Sequence, residues 1–386
     1  MKKTILFLIL FTLTLPCFSF VHTTTVWEKQ LNNSVDRMLV SKNYIFLINQ
    51  KEVICFYKNG KQLWVYKPAK GRIGLSPEYD IEERLWLNIN DLNNGNFIIT
   101  LNRSGQPILK KKVAHGEIIG KSPDGKRIFI AYGGQWMHIY GGDILINRKF
   151  LSVDANEYIL RKKEMYIFSH KNQGILWAIG VRDNKTLLCM RDSKNKVTVL
   201  LLRSSGDIEK KLNLREAEKK PSIAKDLLIF VNLNPKTHSY QLSAYSILDI
   251  SKKWNIETGT GKVFPSFANN KIYYTNPYAR SGWDPFVRGT LFEISLNGKQ
   301  VNKIFKSASP FAKGAVQLFM TDYGFQYKDF FVFPTFHEVM ALNKQKKIEL
   351  AIPDAGTSFL IKSDGHLIFL FSIKNGNKTL KAIKMN

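Results

Sequence analysis

Polar turns and short apolar bursts alternate along this chain with a regularity that sets the first expectation. Ser41-Lys42-Asn43 precedes Tyr44-Ile45-Phe46-Leu47, and Glu82-Glu83-Arg84 precedes Leu85-Trp86-Leu87. Ser122-Pro123-Asp124-Gly125-Lys126-Arg127 comes before Ile128-Phe129-Ile130, and Lys162-Lys163-Glu164 before Met165-Tyr166-Ile167. Further bursts start at Leu228, Ile272, Phe330 and Leu367, which makes eight at a mean spacing of about 46 residues. A short apolar run bounded by turn residues reads as a buried strand. A repeat of this length carried by strands is the signature of propeller blades.

A second polar turn follows each burst. Lys58-Asn59-Gly60-Lys61 separates the apolar segment Val53 to Tyr57 from Leu63 to Tyr66, and glycine accepts the positive φ that such hairpin turns require. Arg103-Ser104-Gly105-Gln106, Ser204-Ser205-Gly206-Asp207 and Leu296-Asn297-Gly298-Lys299 repeat the device. The copies around Asp249 to Trp254 and Asn343 to Ile348 lack the glycine. Each turn should lead into the outermost strand of its blade. A β-sandwich with good hairpins is the competing architecture, but it has no need of so many evenly recurring units.

The pattern therefore predicts an all-β fold, a single β-propeller of four-stranded antiparallel blades, with eight blades expected. Seven is the alternative, because the stretch of about 62 residues from Met165 to Leu228 could hold one irregular blade. The segment 357–385 supplies only three strands, whereas Val26 to Leu31 is a lone strand near the other end of the chain. Pairing the two would remove two unpaired edges, so residues 25–31 are predicted to form the outer strand of the last blade. Helical spacing is scarce, and only Leu212 to Lys220 reads as a surface turn of helix. No Pro- or Ser-rich linker divides the chain, so residues 20–386 are read as one propeller domain.

Residues 1–19 read as a signal peptide. Met1-Lys2-Lys3 is its positive end, Ile5 to Leu15 is apolar but too short to span a bilayer, and Cys17-Phe18-Ser19 places small residues where a peptidase reads. Cleavage is expected after Ser19. Lipid attachment at Cys17 is disfavoured, because Pro16 stands where a lipobox has Gly or Ala. The expected location is exported, in the periplasm or at the cell surface. No later segment is long and apolar enough for a transmembrane helix. Cys55 and Cys189 remain, each within an apolar run and in distant blades, so both are expected as buried free thiols.

Composition adds a strong positive charge: 57 Lys and Arg against 31 Asp and Glu, a formal net charge of +26. Such a surface attracts polyanions. Nucleic acid is disfavoured for an exported chain that carries no recognition motif. A protein or an anionic envelope component is the expected partner, with the chain monomeric or part of a complex. Usage of Lys, Asn and Ile typical of AT-rich genomes would raise the charge equally well.

The Gly60-Lys61-Gln62-Leu63-Trp64 end of the repeat resembles the PQQ-like propeller superfamily. That group holds quinoprotein dehydrogenases and non-catalytic scaffolds such as BamB of the outer-membrane barrel assembly machinery. Ser122 to Phe129 is similar to the WD40-like repeat of TolB-type periplasmic propellers, and Asp364-Gly365-His366-Leu367 echoes it. The resemblance implies an exported propeller that is either a scaffold or an enzyme. The adjacent cysteines of the quinoprotein enzymes are absent from this sequence. The sialidase-type Asp-box spacing is also broken at Ser122 and Ser363. The seven histidines show no metal-ligand spacing. Asp80, Glu82 and Glu83 cluster beside a turn and are read as solvated acids. No catalytic, cofactor-binding or metal-binding residue is therefore assigned, and no cofactor is expected.

The longest connections, Lys67 to Tyr79, Thr258 to Pro265, Asn276 to Gly289 and Lys306 to Gly314, fall mainly into the classes that emerge on one propeller face. The segment from Pro277 to Arg288 gathers Tyr, Trp, Phe and two Arg, a composition favoured at interface hot spots. The expected partner-binding residues are Arg280, Trp283, Phe286 and Arg288, with Lys67, Lys70, Arg72 and Lys313 from other long loops. A loop folded over the end of the propeller ring, with Trp283 capping the core, is the equal alternative. The expected function is an exported non-enzymatic scaffold. A divergent enzyme or small-ligand binder, with a site at the mouth of the central channel, is the other reading.

Overall fold

The computed structural model describes residues 20–74, 76–91, 93, 95–139, 142–146, 148–161, 166–169, 173–181, 183–192, 196–214, 221–234, 237, 239–259, 263, 265–278, 288–306, 324–334, 338–353, 355 and 358–386. The chain groups into two compact units. One comprises residues 31–220 with 245–253, and the other residues 20–30, 221–244 and 254–386.

Residues 31–220 carry four antiparallel blades. Blade 1 is Arg37–Val40, Tyr44–Ile48, Val53–Tyr57 and Gln62–Tyr66. Blade 2 is Leu85–Asp91, Gly95–Leu101 and Pro107–Lys112, with a first strand broken into Arg72–Ile73 and Glu78–Tyr79. Blade 3 is Glu117–Lys121, Arg127–Tyr132, Lys149–Asp154 and Tyr166–Ser169. Blade 4 is Gln173–Gly180, Thr186–Asp192, Val197–Leu202 and Ile208–Leu214. The apolar bursts are the second strands, and Tyr44–Ile48 is buried at all five positions. A strand covered on both faces has no reason to alternate, which is why the pattern reads as bursts.

Four more sheets follow. Blade 5 is Ser222–Ala224, Leu227–Asn234, Ser239–Ser246 and Lys252–Gly259, and blade 6 is Ser266–Ala268, Lys271–Tyr278, Arg288–Ser295 and Val301–Lys306. Blade 7 is Phe325–Tyr327, Phe330–Pro334, Val339–Leu342 and Ile348–Ile352. Blade 8 is Ser358–Ser363, Ile368–Lys374 and Asn377–Met385, completed by Thr23–Leu31 from the other end of the chain. The expected pairing of first and last strands is thus present. The segment before it reaches blade 7 as well: Val21 is buried, and its N–H donates to the Leu350 carbonyl at 3.1 Å. The fold is an all-β propeller of eight four-stranded blades.

Two sequence expectations fail locally. The burst at Met165 is counted above as the start of a repeat unit, but Tyr166–Ser169 is the fourth strand of blade 3, and the second strand of blade 4 is Thr186–Asp192. Blade 3 displaced the register because it carries two additions: the hairpin of Gln135–Ile139 and Gly142–Ile146, and the seven-residue helix Ala155–Arg161. The helix forms where Asp154 accepts hydrogen bonds at 3.0 Å from the N–H groups of Asn156 and Glu157, an N-cap. The helix expected at Leu212–Lys220 is instead the end of strand Ile208–Leu214, and residues 215–220 lie outside the described residues.

The polar turns join one blade to the next. Glu83, at φ 58° in the turn entering the second strand of blade 2, is buried. Its carboxylate accepts from Ser41 Oγ at 2.6 Å and from Asn43 N and Nδ2 at 2.7 Å each, all in the corresponding turn of blade 1. Asp80, also buried, accepts from Trp86 Nε1 at 2.9 Å, from Arg84 Nε at 2.7 Å and from the N–H groups of Glu82 and Arg84. These two are not solvated acids; only Glu82 is exposed. On the far side, Ile81 N–H donates to Gly125 O at 2.9 Å in blade 3, and Arg127 Nη1 donates to Asn184 O at 2.7 Å in blade 4. Blades 7 and 8 repeat the device through Tyr327 Oη, which donates to His366 O at 2.7 Å.

The hairpin turns carry a second joint. Trp64, on the fourth strand of blade 1, donates from Nε1 to Arg103 O at 2.8 Å, and a Cβ at Gly105 would lie 2.6 Å from its indole. Trp254 of blade 5 does the same to Leu296 O at 2.8 Å, with a Cβ at Gly298 falling 2.5 Å from its ring. The glycines serve twice, since Gly105 and Gly298 also have φ of 80° and 74°. Where the glycine is missing, Ile250 and Lys346 take positive φ at 49° and 62°.

Gly105→Ala should therefore cost well over about 1 kcal/mol, more than Trp64→Phe, which loses one hydrogen bond worth about 1 kcal/mol and part of a half-exposed ring. Urea denaturation of the two variants checks the order. A pH effect follows from Glu83. Burial pushes its carboxyl up, but the hydrogen bonds from Ser41 and Asn43 and the Arg103 charge outweigh burial and hold it below its ordinary value of 4.5. A depressed folded pKa contributes stability that is present above the unfolded value and is lost as pH falls through the folded one. Glu83→Gln should lower stability at pH 7 and reduce the further loss between about pH 4.5 and pH 3. Melting curves at those three pH values settle the point, and an equal acid loss in both proteins would refute it.

Candidate functional site

The broken first strand of blade 2 opens a cleft of about 1470 Å³. Arg72–Ile73 pairs with Asn90 and Ile89, Glu78–Tyr79 pairs with Trp86 and Leu85, and Pro77 in the gap has no N–H to continue the ladder. The walls are the connections between blades 1 and 2 and between blades 2 and 3, with the turn after Asp91 at one end.

Gly74 lies in the gap. Its N–H still donates to Asn88 O at 2.8 Å, but a Cβ there would stand 1.9 Å from Asn88 Nδ2. The bare Cα is what lets the Asn88 carboxamide lie over the floor. Gly71 is held at φ 85°, where a Cβ would meet Asn90 O at 2.7 Å. Asn88, Asn90, Asn93 and Asn96 all line the cleft, with Gln50 beside them.

Arg148 closes the far side and is buried. It donates through Nη2 to His115 O at 2.8 Å and Ala131 O at 3.1 Å, and through Nη1 to Glu117 Oε2 at 3.2 Å. Burial pulls its pKa down, opposed by the Glu117 charge. Ser76 Oγ donates to the other Glu117 oxygen at 3.4 Å. Gly133 N–H donates to Ala114 O, so the hairpin of blade 3 is rooted on the rim of the cleft at Gly133 and again at Arg148.

Three cations complete the lining: Lys70, Arg72 and Lys112. All are exposed, and none forms an ion pair with a carboxylate among the described residues. The Lys112 stem passes over Gly95, where a Cβ would be 3.1 Å from its Cε. Elsewhere in the chain the buried carboxylates are engaged structurally. Glu293 of blade 6 is held by Lys346 at 3.2 Å, Asn302 at 3.2 Å and Lys271 at 3.6 Å. A smaller hollow of about 480 Å³ between Thr23–Leu31 and residues 352–383 has its Glu28 paired with Lys381 at 3.1 Å. Cys55 and Cys189 are free and buried, as expected, and burial pushes the Cys55 thiol up to about 12. Among the described residues, no three His, Cys, Asp or Glu side chains are placed to hold a metal ion.

Of the residues singled out from sequence, the structure brings Lys70 and Arg72 together in this cleft. Lys67, just outside it, pairs with Glu52 at 3.3 Å. Arg288 opens the third strand of blade 6 opposite Tyr278. Arg280, Trp283, Phe286 and Lys313 lie outside the described residues. Lys67 to Tyr79 was read as a loop, yet it contains both pieces of the first strand of blade 2. Asn88, Lys112 and Arg148 were missed. Lys112 closes a run of three lysines, and nothing local marks the other two.

No family model and no curated relative matches this chain. Solved structures do. Dihydro-haem d1 dehydrogenase NirN superposes with a TM-score of 0.58 at 10% identity, covering 93% of this chain and 78% of that one. The C-terminal WD40 domain of Sif2 gives a TM-score of 0.50 at 11% identity, covering 91% and 81%. At such identities the likeness shows the fold alone: this is a β-propeller with neighbours of WD40 and NirN type.

Arg148→Met should cost about 2–4 kcal/mol, because two buried carbonyls lose their donor and Glu117 its cation. Arg148→Lys should restore less than half of that, since one ammonium cannot span the three acceptors. Chemical denaturation of both variants measures the difference.

Proposed function

We propose that this chain is an exported, non-enzymatic binding propeller that takes an anionic partner, a protein or an envelope polymer, into the cleft of blade 2. The observation that carries the reading is the set of Lys70, Arg72 and Lys112, three cations in one hollow without a carboxylate partner among the described residues. Cations in a concave site that are not neutralised by a neighbouring carboxylate focus their field on an anionic ligand. Export rests on the leader-like residues 1–19.

The general charge of the chain makes a matched control necessary. Lys70→Glu, Arg72→Glu and Lys112→Glu together should weaken binding to an anionic envelope fraction at least tenfold and flatten its salt dependence. The same three-charge reversal at Lys210, Lys211 and Lys253, on exposed fourth strands of other blades, should change it less than threefold. Retention measured from 50 to 500 mM salt compares the two. Equal losses would assign the binding to net charge and remove the cleft from the account.

A further inference from the structure

The floor of the cleft adds a second chemistry to its cations, and on that basis we propose that the occupant is an extended, acidic polypeptide segment. This rests on the binding reading above and narrows it. The carboxamides of Asn90 and Asn96 make no hydrogen bond to another described residue, and Asn88 is set over Gly74 beside them. A carboxamide is donor and acceptor at once, the same pair that each peptide unit presents. A row of such groups matches a peptide backbone, and Lys70, Arg72 and Lys112 match carboxylates spaced along it.

Other anions fit less well. A polyphosphate backbone is rich in acceptors and offers no donor to the amide oxygens. Nucleobases stack on aromatic platforms, and no Phe, Tyr or Trp stands among the described residues that line the cleft. At about 1470 Å³ the hollow exceeds the usual 300–1,000 Å³ of small-ligand pockets, which favours a chain over a metabolite.

The test titrates the full chain with a fluorescein-labelled twelve-residue Glu-Ser repeat peptide and follows anisotropy, with short polyphosphate and oligogalacturonate as competitors at equal charge. Lys70→Ala/Arg72→Ala/Lys112→Ala should weaken peptide binding at least tenfold. Asn90→Ala/Asn96→Ala, with an unchanged melting temperature, should weaken it three- to tenfold while leaving polyphosphate binding within twofold. Peptide binding indifferent to the asparagines, or matched by polyphosphate, overturns the peptide assignment and leaves the cationic cleft standing. Tighter binding of oligogalacturonate overturns it in favour of a polysaccharide. If no anion responds to the three cation changes, the cleft reading itself falls along with this one.

Discussion

Hydrogen-bonded ladders in this chain stop at the fourth strand of each blade, so one blade must grip the next by other means. The buried Glu83 carboxylate shows what replaces the ladder. It leaves its own turn, crosses to the preceding blade and collects three donors there. A buried charge is costly unless its hydrogen-bonding capacity is met, and here it is met only when two turns are in register. The same logic runs onward through Ile81 to Gly125 and through Arg127 to Asn184. Trp64 and Trp254 supply the apolar counterpart at the neighbouring hairpins, each ring fitting where a glycine leaves room.

The cleft is a local relaxation of this order. Where the first strand of blade 2 breaks, the ladder to the second strand resumes only after Pro77, and backbone that would have been covered becomes a hollow. The connections that wall it are tied down by Arg148, which binds two carbonyls and a carboxylate, so the hollow is a built feature and not a slack loop. Rigid walls favour binding because little side-chain or loop freedom remains to be lost when a ligand arrives.

Architecture was legible in the sequence because it is written in repeated, local patterns. The second strands stand out as apolar runs, and Gly60, Gly105, Gly206 and Gly298 mark hairpin turns. Tertiary decisions were not legible. Asp80 and Glu83 have the composition of a solvated turn, and only the approach of Ser41, Asn43 and Trp86 buries them. Met165 headed a burst of the right kind in the wrong place, because the additions to blade 3 shifted the count. Loop length and charge single out Lys70 and Arg72, which line the cleft. They miss Asn88 and Arg148, since their positions depend on contacts with Gly74 and with carbonyls remote in sequence.

The pairing of Thr23–Leu31 with Asn377–Met385 has a consequence for the order of assembly. The first strand leaves the ribosome hundreds of residues before its partner exists, and bringing such distant ends together costs about 5 kcal/mol of loop-closure entropy if the chain between is still flexible. Prior folding of the intervening blades removes most of that cost by presenting the two segments side by side. The N-terminal strand would then dock late, onto a finished template. Even once docked it keeps Val26 exposed and one backbone edge unpaired, and the neighbouring Glu28 and Lys29 are the kind of charges that discourage wrong partners there.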